Sequence, residues 1–425
     1  MVSAMGGRRP IAIDLFAGAG GMTLGFEQAG FDVPAAVELD PIHCATHEFN
    51  FPFWSVLCQD IADTTGDQIR NCIGDREIDV VCGGPPCQGF SVIGKRQFSD
   101  PRNCLISHFL RVVLELEPKY FVMENVPGLA LGKHQQLLND IISEFTANGY
   151  QVLSHQVLNA ANYGVPQNRE RLFMLGSRQG LPLPQYPSPI TRPNKNQAEN
   201  QDLPLTPTVW QAIGDLPEAE NYPVLRKRDQ VVAEYGKPSD YGQQMRGLCM
   251  IADDYSYARQ YDPRLLTSSI RTNHTKKSRA RFEATGPGKI ERVSRFHKLN
   301  PEGLCNTLRA GTARDRGAYT SPRPIHPYTP RCITVREAGR LHSYPDWLRF
   351  HVTKWHGFRQ IGNSVPPLLA KAVAAEIIRS LGVEPCKPAE EQPLGQSKWL
   401  HMTMSQAAAC YEADPQAIGR RSRRR

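Results

Sequence analysis

The fold is decided near the start of this 425-residue chain by Ile11-Ala-Ile-Asp-Leu-Phe-Ala-Gly-Ala-Gly-Gly21. The stretch reads as a buried β-strand that breaks into a glycine-rich turn before a helix, and such a turn lets a nucleotide-like ligand approach the backbone. Glu38 follows Gly18 at about the spacing where an acidic residue accepts hydrogen bonds from ribose hydroxyls. The pattern predicts an α/β fold with a ribose-bearing ligand at the end of its first strand.

The glycine spacing narrows the class of ligand. A dinucleotide site needs Gly-x-Gly-x-x-Gly, but Met22 and Thr23 follow Gly20 and Gly21. We therefore expect a ligand without a pyrophosphate, such as S-adenosyl-L-methionine, rather than NAD. Asp60 follows the next strand-like run and is a candidate acceptor for the adenine amino group. A solvated aspartate at a strand end is the alternative interpretation.

A second motif, Asp79-Val-Val-Cys-Gly-Gly-Pro-Pro-Cys-Gln-Gly-Phe-Ser91, presents Cys87 on a rigid glycine and proline loop. An ordinary cysteine is only about 3% thiolate at neutral pH, so a nucleophilic cysteine needs local activation. A small buried cysteine after a strand is the alternative. The polar neighbours Gln88 and Ser91 favour the nucleophile.

Three further segments carry polar side chains at strand or turn ends. Glu124 ends a strand, where α/β enzymes place their chemistry. Arg169 and Arg171 alternate on one face of an extended segment, which taken alone is also typical of a surface salt-bridge strip. Residues 360–367 read as a turn that lends Asn363 to a site and precedes an apolar helix.

In this order the segments closely resemble the DNA (cytosine-5) methyltransferase family of the bacterial restriction-modification type. The resemblance covers residues 11–177 and 303–381 and includes Pro-Pro-Cys-Gln, Glu-Asn-Val, Gln-x-Arg-x-Arg and Gly-Asn-Ser-Val, each of which is specific. It implies an α/β Rossmann-like domain dependent on S-adenosyl-L-methionine, with a mixed, mostly parallel sheet, plus a smaller target-recognition domain.

The resemblance also implies a mechanism. Cys87 would attack carbon 6 of a cytosine flipped out of the duplex, Glu124 would hydrogen-bond ring nitrogen 3, and carbon 5 would take the methyl group. Arg171 would hold the base carbonyl, and Arg169 would support the active-site loop and a nearby phosphate, although the sequence does not separate these two roles. Gln88 and Ser91 would face the DNA. The cofactor would contact Phe16, Ala17, Gly18, Gly20, Gly21, Glu38, Leu39, Asp60, Ile61, Pro86, Leu105, Asn363 and Val365.

Proline content divides the chain. We expect a catalytic and cofactor-binding domain over residues 1–180, then a target-recognition domain over 181–302 that begins with a proline-rich hinge at 181–207. Residues 303–385 would return to the recognition and catalytic domains, and the tail at 386–425 would be partly disordered. A short helix is predicted near Trp210, and a helix is predicted to start at Thr334 with Glu337 completing a capping box.

Residues 264–323 contain 14 lysines and arginines against four acidic residues, which predicts phosphate contact. Within this stretch Asn273, Lys276, Arg279 and Arg281 are the candidate DNA contacts. A solvated basic surface is the alternative.

The composition agrees with an intracellular enzyme. The net charge is +8, the eleven cysteines show no paired metal spacing, and no signal peptide or membrane span is evident. We expect a cytoplasmic monomer that uses S-adenosyl-L-methionine, needs no metal and acts on double-stranded DNA, with a cognate restriction endonuclease as a candidate partner. Three alternatives remain: a tRNA cytosine-5 methyltransferase of the same fold, a catalytically silent DNA-binding protein, and a nicotinamide oxidoreductase.

Overall fold

The structure is a computed structural model that describes residues 8–86, 104–132, 134–193, 201–311 and 323–415. Its first nine strands are β1 (Ile11–Leu15), β2 (Asp32–Glu38), β3 (Ser55–Cys58), β4 (Val80–Gly83), β5 (Tyr120–Asn125), β6 (Tyr150–Val152), β7 (Gln156–Asn159), β8 (Gln167–Asn168) and β9 (Glu170–Arg178). All but β8 form one sheet in the order β3-β2-β1-β4-β5-β9-β6, with β7 also paired to β9. The five strands β1 to β5 are parallel, and β9 is antiparallel to its neighbours.

The helices of this first part are α1 (Gly21–Ala29), α2 (Pro41–Asn50), α3 (Gly66–Ile73), α4 (Cys104–Leu116) and α5 (His134–Ala147), with 3-10 turns at Pro127–Ala130 and Ala160–Tyr163. Later helices are α6 (Val209–Ile213), α7 (Asp240–Met245), α8 (Lys276–Ala284), α9 (Val335–Leu341), α10 (Lys354–Asn363), α11 (Pro367–Leu381) and α12 (Met404–Cys410). The later strands are short: β10 (Val231–Val232), β11 (Ala258–Arg259), β12 (Leu265–Leu266), β13 (Cys305–Asn306) and β14 (Glu391–Gln392). Further 3-10 turns lie at Ala219–Asn221, Pro223–Arg226 and Ser397–His401.

Strand β1 is buried along its whole length, as expected for a strand in the middle of a sheet with both faces covered. Ile11, Ile13 and Leu15 point to a core shared with α3, α4 and α5. Ala12 points to the opposite core, which contains side chains of α1 and α11. This arrangement of a mixed, mostly parallel sheet between helices confirms the predicted α/β Rossmann-like class.

Helices α1 and α11 pack closely on one face of the sheet because α1 carries a glycine at the contact. A Cβ atom on Gly25 would collide with the Cβ of Ala370 and lie 2.7 Å from the carbonyl oxygen of Pro367. The chain therefore returns from its C-terminal third to cover the glycine-rich first helix.

Residues 209–245 and 333–361 share a single apolar core. Ile213, Tyr241, Ala338 and Phe358 belong to it, together with Phe51 from the catalytic part. The boundary expected at residues 302 and 303 therefore runs through a continuous core, and the division into domains stays a prediction.

Several local predictions can be compared with the structure. The predicted short helix near Trp210 is α6, and Thr334 and Glu337 form the predicted capping box at the start of α9. The prediction of a turn over residues 360–367 is wrong at its first four positions, because α10 continues to Asn363. The turn is confined to the three residues between α10 and α11.

The C-terminal segment 386–415 is folded, which the sequence did not lead us to expect. Strand β14 pairs with β11, Gly395 donates its N–H to the carbonyl of Phe49, and Leu400 is fully buried. Helix α12 packs on α2. No helix among the described residues has the length and apolar character needed to cross a membrane.

The α1–α11 contact can be tested with Gly25→Ala. Because the new methyl group would overlap Ala370, we expect the free energy of unfolding to fall by about 1–3 kcal/mol, measured by denaturant titration. Gly128→Ala is the matched control, since a Cβ atom there meets nothing within 4 Å. Equal stabilities of the two variants would contradict the close packing.

Candidate active site

The glycine-rich turn after β1 leaves an open space at the carboxyl edge of the sheet. Phe16, Gly18 and Gly20 adopt positive φ values of 64°, 58° and 88°, and Gly20 ends this turn as the N-cap of α1. A Cβ atom on Gly18 would meet nothing within 4 Å. At Gly21 it would lie 2.6 Å from the carbonyl oxygen of Val365, so only glycine lets the segment after α10 approach this turn. Phe16, Ala17, Gly18, Gly20, Gly21 and Val365 thus lie together, and their contact with a cofactor stays a prediction.

Glu38 is fixed at the end of β2 beside this turn. One of its oxygens accepts from the N–H of Gly18 and the other from the N–H of Asp40, both at 2.8 Å. Its side chain is 13% exposed, so the carboxylate is oriented by the main chain and still reachable from solvent. Each of its oxygens keeps a further lone pair that can accept a hydrogen bond.

The remaining predicted cofactor residues surround the same edge. Asp60 follows β3 and accepts from the N–H of Ala62 at 2.9 Å. Phe16 and Leu105 are half-buried against the cluster that contains Ile61. Other predicted contacts follow strand or helix ends: Leu39 after β2, Pro86 after β4 and Asn363 at the end of α10.

A buried polar chain beneath the glycine turn was missed by the sequence analysis. Asp14 is 1% exposed and accepts from the hydroxyl of Thr23 at 2.6 Å, and Thr23 is 3.2 Å from Nε2 of His47. Burial raises the pKa of Asp14 to about 7 and lowers the pKa of His47 to about 3. A neutral His47 that donates from Nε2 to Thr23 satisfies this geometry. The available signal was an aspartate inside an apolar strand, which requires a partner.

Glu124 and Arg171 form an ion pair at the adjacent strand ends. Arg171 Nε lies 2.9 Å from Oε1 of Glu124, and the two side chains are 13% and 11% exposed. Burial raises the pKa of Glu124 above its usual range, while Arg171 and then Arg169 act in the opposite direction. The raised pKa means that burial favours the protonated form of this carboxyl, and the two arginines oppose it.

The loop after β4 lies directly over Glu124. A Cβ atom on Gly84 would come within 2.8 Å of the Glu124 carboxylate, and the Asn125 side chain donates to the carbonyl of Pro85 at 2.9 Å. The loop leading to the cysteine is therefore attached to the strand that carries the glutamate. Cys87, Gln88 and Ser91 themselves lie outside the described residues.

Arg169 is completely buried and donates only to main-chain carbonyls in the described structure. Its guanidinium nitrogens lie 2.8 Å from the carbonyl oxygens of Leu308, Gly362 and Ser364. The predicted contact of Arg169 with a phosphate is therefore corrected, because a side chain with no exposed surface cannot reach one. Its geometry is that of a positioning residue that joins β9 to two later segments.

The predicted DNA contacts lie around helix α8. Asn273 and Lys276 are exposed. Arg279 makes a bidentate pair with Glu220 at 2.6 and 2.7 Å, and Arg281 Nε lies 3.5 Å from Glu291. Both arginines thus have partners within the protein. Within the described ranges, no group of three or more histidine, cysteine, aspartate or glutamate side chains is placed to hold a metal ion.

The fold and this edge of the sheet define a Rossmann-like methyltransferase. The family model for C-5 cytosine-specific DNA methylases matches residues 11–379, and the chain belongs to that family. It is 57% identical to the type II methyltransferase M.XorII of Xanthomonas oryzae pv. oryzae, over 98% of this chain and 95% of that one. It is 35% identical to the type II methyltransferase M1.HphI of Haemophilus parahaemolyticus, over 86% of each chain. The chain is thus a DNA (cytosine-5) methyltransferase, which excludes the nicotinamide oxidoreductase.

Solved structures show the same fold. A prophage-encoded E. coli protein that has been described as a DNA modification methyltransferase matches with a TM-score of 0.70 and 32% identity, over 88% of this chain and 99% of that one. The Dnmt2 methyltransferase of S. pombe matches with a TM-score of 0.52 and 18% identity, over 88% and 99%. This second likeness concerns the fold alone.

Substitution of Arg169 and substitution of Arg171 should lower the free energy of unfolding by different amounts. Arg169→Ala leaves the buried carbonyl groups of Leu308 and Gly362 without donors, while that of Ser364 keeps His342 Nε2 at 3.1 Å, so we expect the free energy of unfolding to fall by about 3 kcal/mol. Arg171→Ala should cost only about 1 kcal/mol, because Glu124 can take up a proton when its partner is removed. Denaturant titration of both variants measures this, and equal losses would contradict the assignment.

Asp14 should make stability depend on pH. Because its folded pKa lies above the unfolded value near 3.8, its favourable contribution is complete below pH 4 and is lost as pH rises through about 7. We expect the wild type to lose about 2 kcal/mol more than Asp14→Asn between pH 5 and pH 8. Denaturant titrations at the two pH values measure the difference, and parallel pH profiles would refute the raised pKa.

Proposed function

We propose that this enzyme transfers the methyl group of S-adenosyl-L-methionine to carbon 5 of a cytosine flipped out of duplex DNA. The observation that carries the proposal is the position of the Glu124–Arg171 pair beneath the Gly84–Pro86 loop, at the same sheet edge as Glu38 and the glycine turn. One edge thus offers a cofactor site and an acid–base site side by side.

The residues present fit the proposed cofactor. Gly18 opens onto free space, and Glu38 is held by two main-chain donors with part of its surface exposed, so it can accept from the ribose hydroxyls. Half-buried Phe16 supplies an apolar wall for the adenine, and Asp60 supplies an acceptor for its amino group. The bound cofactor would supply a methyl group on a sulfonium, which needs an electron-rich carbon to attack it.

Addition of Cys87 to the cytosine would make carbon 5 electron-rich. Its thiolate would add to carbon 6 of the cytosine, which breaks the aromaticity of the ring and moves the electron pair toward carbon 5 and nitrogen 3. A protonated Glu124 would donate to nitrogen 3, and its burial favours the protonated form. Carbon 5 would then take the methyl group as the bond from that methyl group to the sulfonium sulfur breaks, which leaves S-adenosyl-L-homocysteine, and a base would remove the proton at carbon 5. The electron pair of that C–H bond then reforms the ring double bond and expels the thiolate.

Arg171 and Arg169 would position these groups. Arg171 can orient the Glu124 carboxyl and hold the base carbonyl, while Arg169 fixes the start of the strand from which Arg171 projects. Flipping the base out costs a few kcal/mol, and the DNA contacts of Gln88, Ser91 and the basic recognition part would offset it. We also propose that Asn273 and Lys276 contact the phosphates.

The relatives suggest the biological setting. The matched proteins carry the name type II methyltransferase, so we propose that this enzyme modifies a short recognition sequence in a restriction-modification system. A cognate endonuclease that cleaves the unmodified sequence would then be its partner. We also propose that it acts as a monomer in the cytoplasm.

The proposal is tested with unmethylated duplex DNA and radiolabelled S-adenosyl-L-methionine, followed by mapping of 5-methylcytosine. We expect label at one short sequence, no transfer by Cys87→Ser, and transfer reduced roughly 100- to 10,000-fold by Glu124→Gln. The exposed free Cys249→Ser is the matched control and should keep wild-type activity.

The covalent step can be observed directly. A duplex with 5-fluorocytosine at the target blocks removal of the group at carbon 5, so the wild type should remain attached to it while Cys87→Ser should not. Labelling of tRNA rather than DNA would place the enzyme in the RNA branch of the fold. Transfer to neither substrate would leave the catalytically silent DNA-binding protein.

A further inference from the structure

Residues 288–298 form a short antiparallel hairpin next to helix α8, here called the 288–298 hairpin. The N–H of Gly288 donates to the carbonyl of Lys298 at 2.9 Å, and Lys298 donates back to Lys289 at 2.8 Å. Ile290 bridges to His297, and the N–H of Glu291 donates to Phe296 at 2.8 Å. Three main-chain hydrogen bonds around one isolated β-bridge thus define a short hairpin whose tip lies at residues 292–295.

The surface of this hairpin combines apolar side chains with cations. Ile290 is 55% exposed and Val293 is 65% exposed. Lys289, Arg292 and Arg295 are also exposed, and none of these three forms an ion pair with another described residue. Exposed cations without carboxylate partners give this surface a positive potential, which attracts a polyanion such as DNA.

The one carboxylate of the hairpin points inward. Glu291 is 3% exposed and accepts from the N–H of Val293 and from the N–H and hydroxyl of Ser294. Arg295 has a positive φ of 61°, which is uncommon for a residue with a side chain. The turn is therefore built by a buried acid, and the outer surface of the tip carries only positive charge.

The base of the hairpin is anchored to the protein. Lys298 Nζ donates to the carbonyl of Phe282 at 3.1 Å, and the rings of Phe282 and Phe296 lie 6.3 Å apart. Arg281 reaches Glu291 from α8. Because the base is fixed, the exposed tip can keep one orientation against a partner, which is a requirement for sequence recognition.

A short stretch of chain joins the hairpin to the candidate active site and limits the distance between the two. Cys305 lies seven positions after Lys298 and pairs with Gln167, two residues before Arg169. The hairpin base therefore lies at most ~25 Å from that strand pair. The N–H groups of Val209 and Trp210 hold this connection by donating to Gly303 and Pro301. A span of 25 Å equals about seven base pairs of duplex.

We propose that the 288–298 hairpin enters the major groove beside the target cytosine and reads base edges there, with Arg292, Val293 and Arg295 as its specificity residues. The major groove admits a two-stranded ribbon, arginine binds guanine with two hydrogen bonds, and an aliphatic side chain contacts the methyl group of thymine. This inference rests on the proposed function, because it needs a duplex substrate. The hairpin is a better candidate for base recognition than Arg279 and Arg281, because the guanidiniums of these two arginines are paired with carboxylates of the protein itself.

The test compares Arg292→Ala, Arg295→Ala and Val293→Ser with the wild type on a library of duplexes with randomised sequence. The exposed arginine of α11 gives the matched control, Arg379→Ala, on a different face. Each hairpin variant should accept additional bases at one or two positions of the methylated sequence, with discrimination there reduced roughly 5- to 100-fold. The control should methylate the wild-type sequence only.

Two outcomes would overturn the inference while leaving the proposed function intact. One is an unchanged methylated sequence in all three variants at unchanged thermal stability. The other is uniformly weaker binding with a smaller salt dependence, which would make the cations phosphate contacts only. If the wild type itself methylates no duplex, the proposed function fails instead, and the library experiment distinguishes that case directly.

Discussion

The candidate active site depends on one buried cation, the guanidinium of Arg169. Arg169 forms no ion pair with a carboxylate among the described residues. Its guanidinium donates hydrogen bonds to the carbonyls of Leu308, Gly362 and Ser364 instead. Two of these carbonyls lie at the C-terminal end of helix α10, where the helix dipole favours a positive charge. The three bonds connect the catalytic strand, the segment returning from the recognition part and the turn before α11.

This connection explains how distant segments build one site. Arg171 lies two residues beyond Arg169, so the anchor that joins β9 to α10 also sets where Arg171 meets Glu124. The same turn contributes Val365, which packs against Gly21 beside the cofactor loop. A displacement of α10 would therefore disturb the acid–base pair and the glycine turn together. Burial raises the pKa of Glu124 and the two arginines oppose that rise, so the proton affinity of this carboxyl depends on the same anchor.

The sequence correctly predicted the features that depend only on residues close together in the chain. The buried strand, the glycine turn and the capping box at Thr334 were all correct, because each depends on neighbouring residues. The resemblance gave Arg169 a role in supporting the active-site loop and a nearby phosphate, and no local pattern shows that its carbonyl partners lie 139 and 195 residues away. The folding of residues 386–415 was missed for the same reason: their short strand and helix are stabilised by β11 and α2.

The basic stretch of the chain shows most clearly what composition alone cannot predict. Residues 264–323 are strongly basic, yet the sequence cannot tell which cations already have partners. Arg271 and Arg279 both pair with Glu220, outside that stretch, and Arg281 approaches the buried Glu291. Internal pairing neutralises these arginines, and binding a phosphate would require breaking an existing contact. Among the described residues of this stretch, the cations that form no ion pair include Lys276 in the first turn of α8 and Lys289, Arg292 and Arg295 on the 288–298 hairpin. The geometry of pairing, rather than the number of basic residues, is therefore the basis on which we propose a DNA-facing surface.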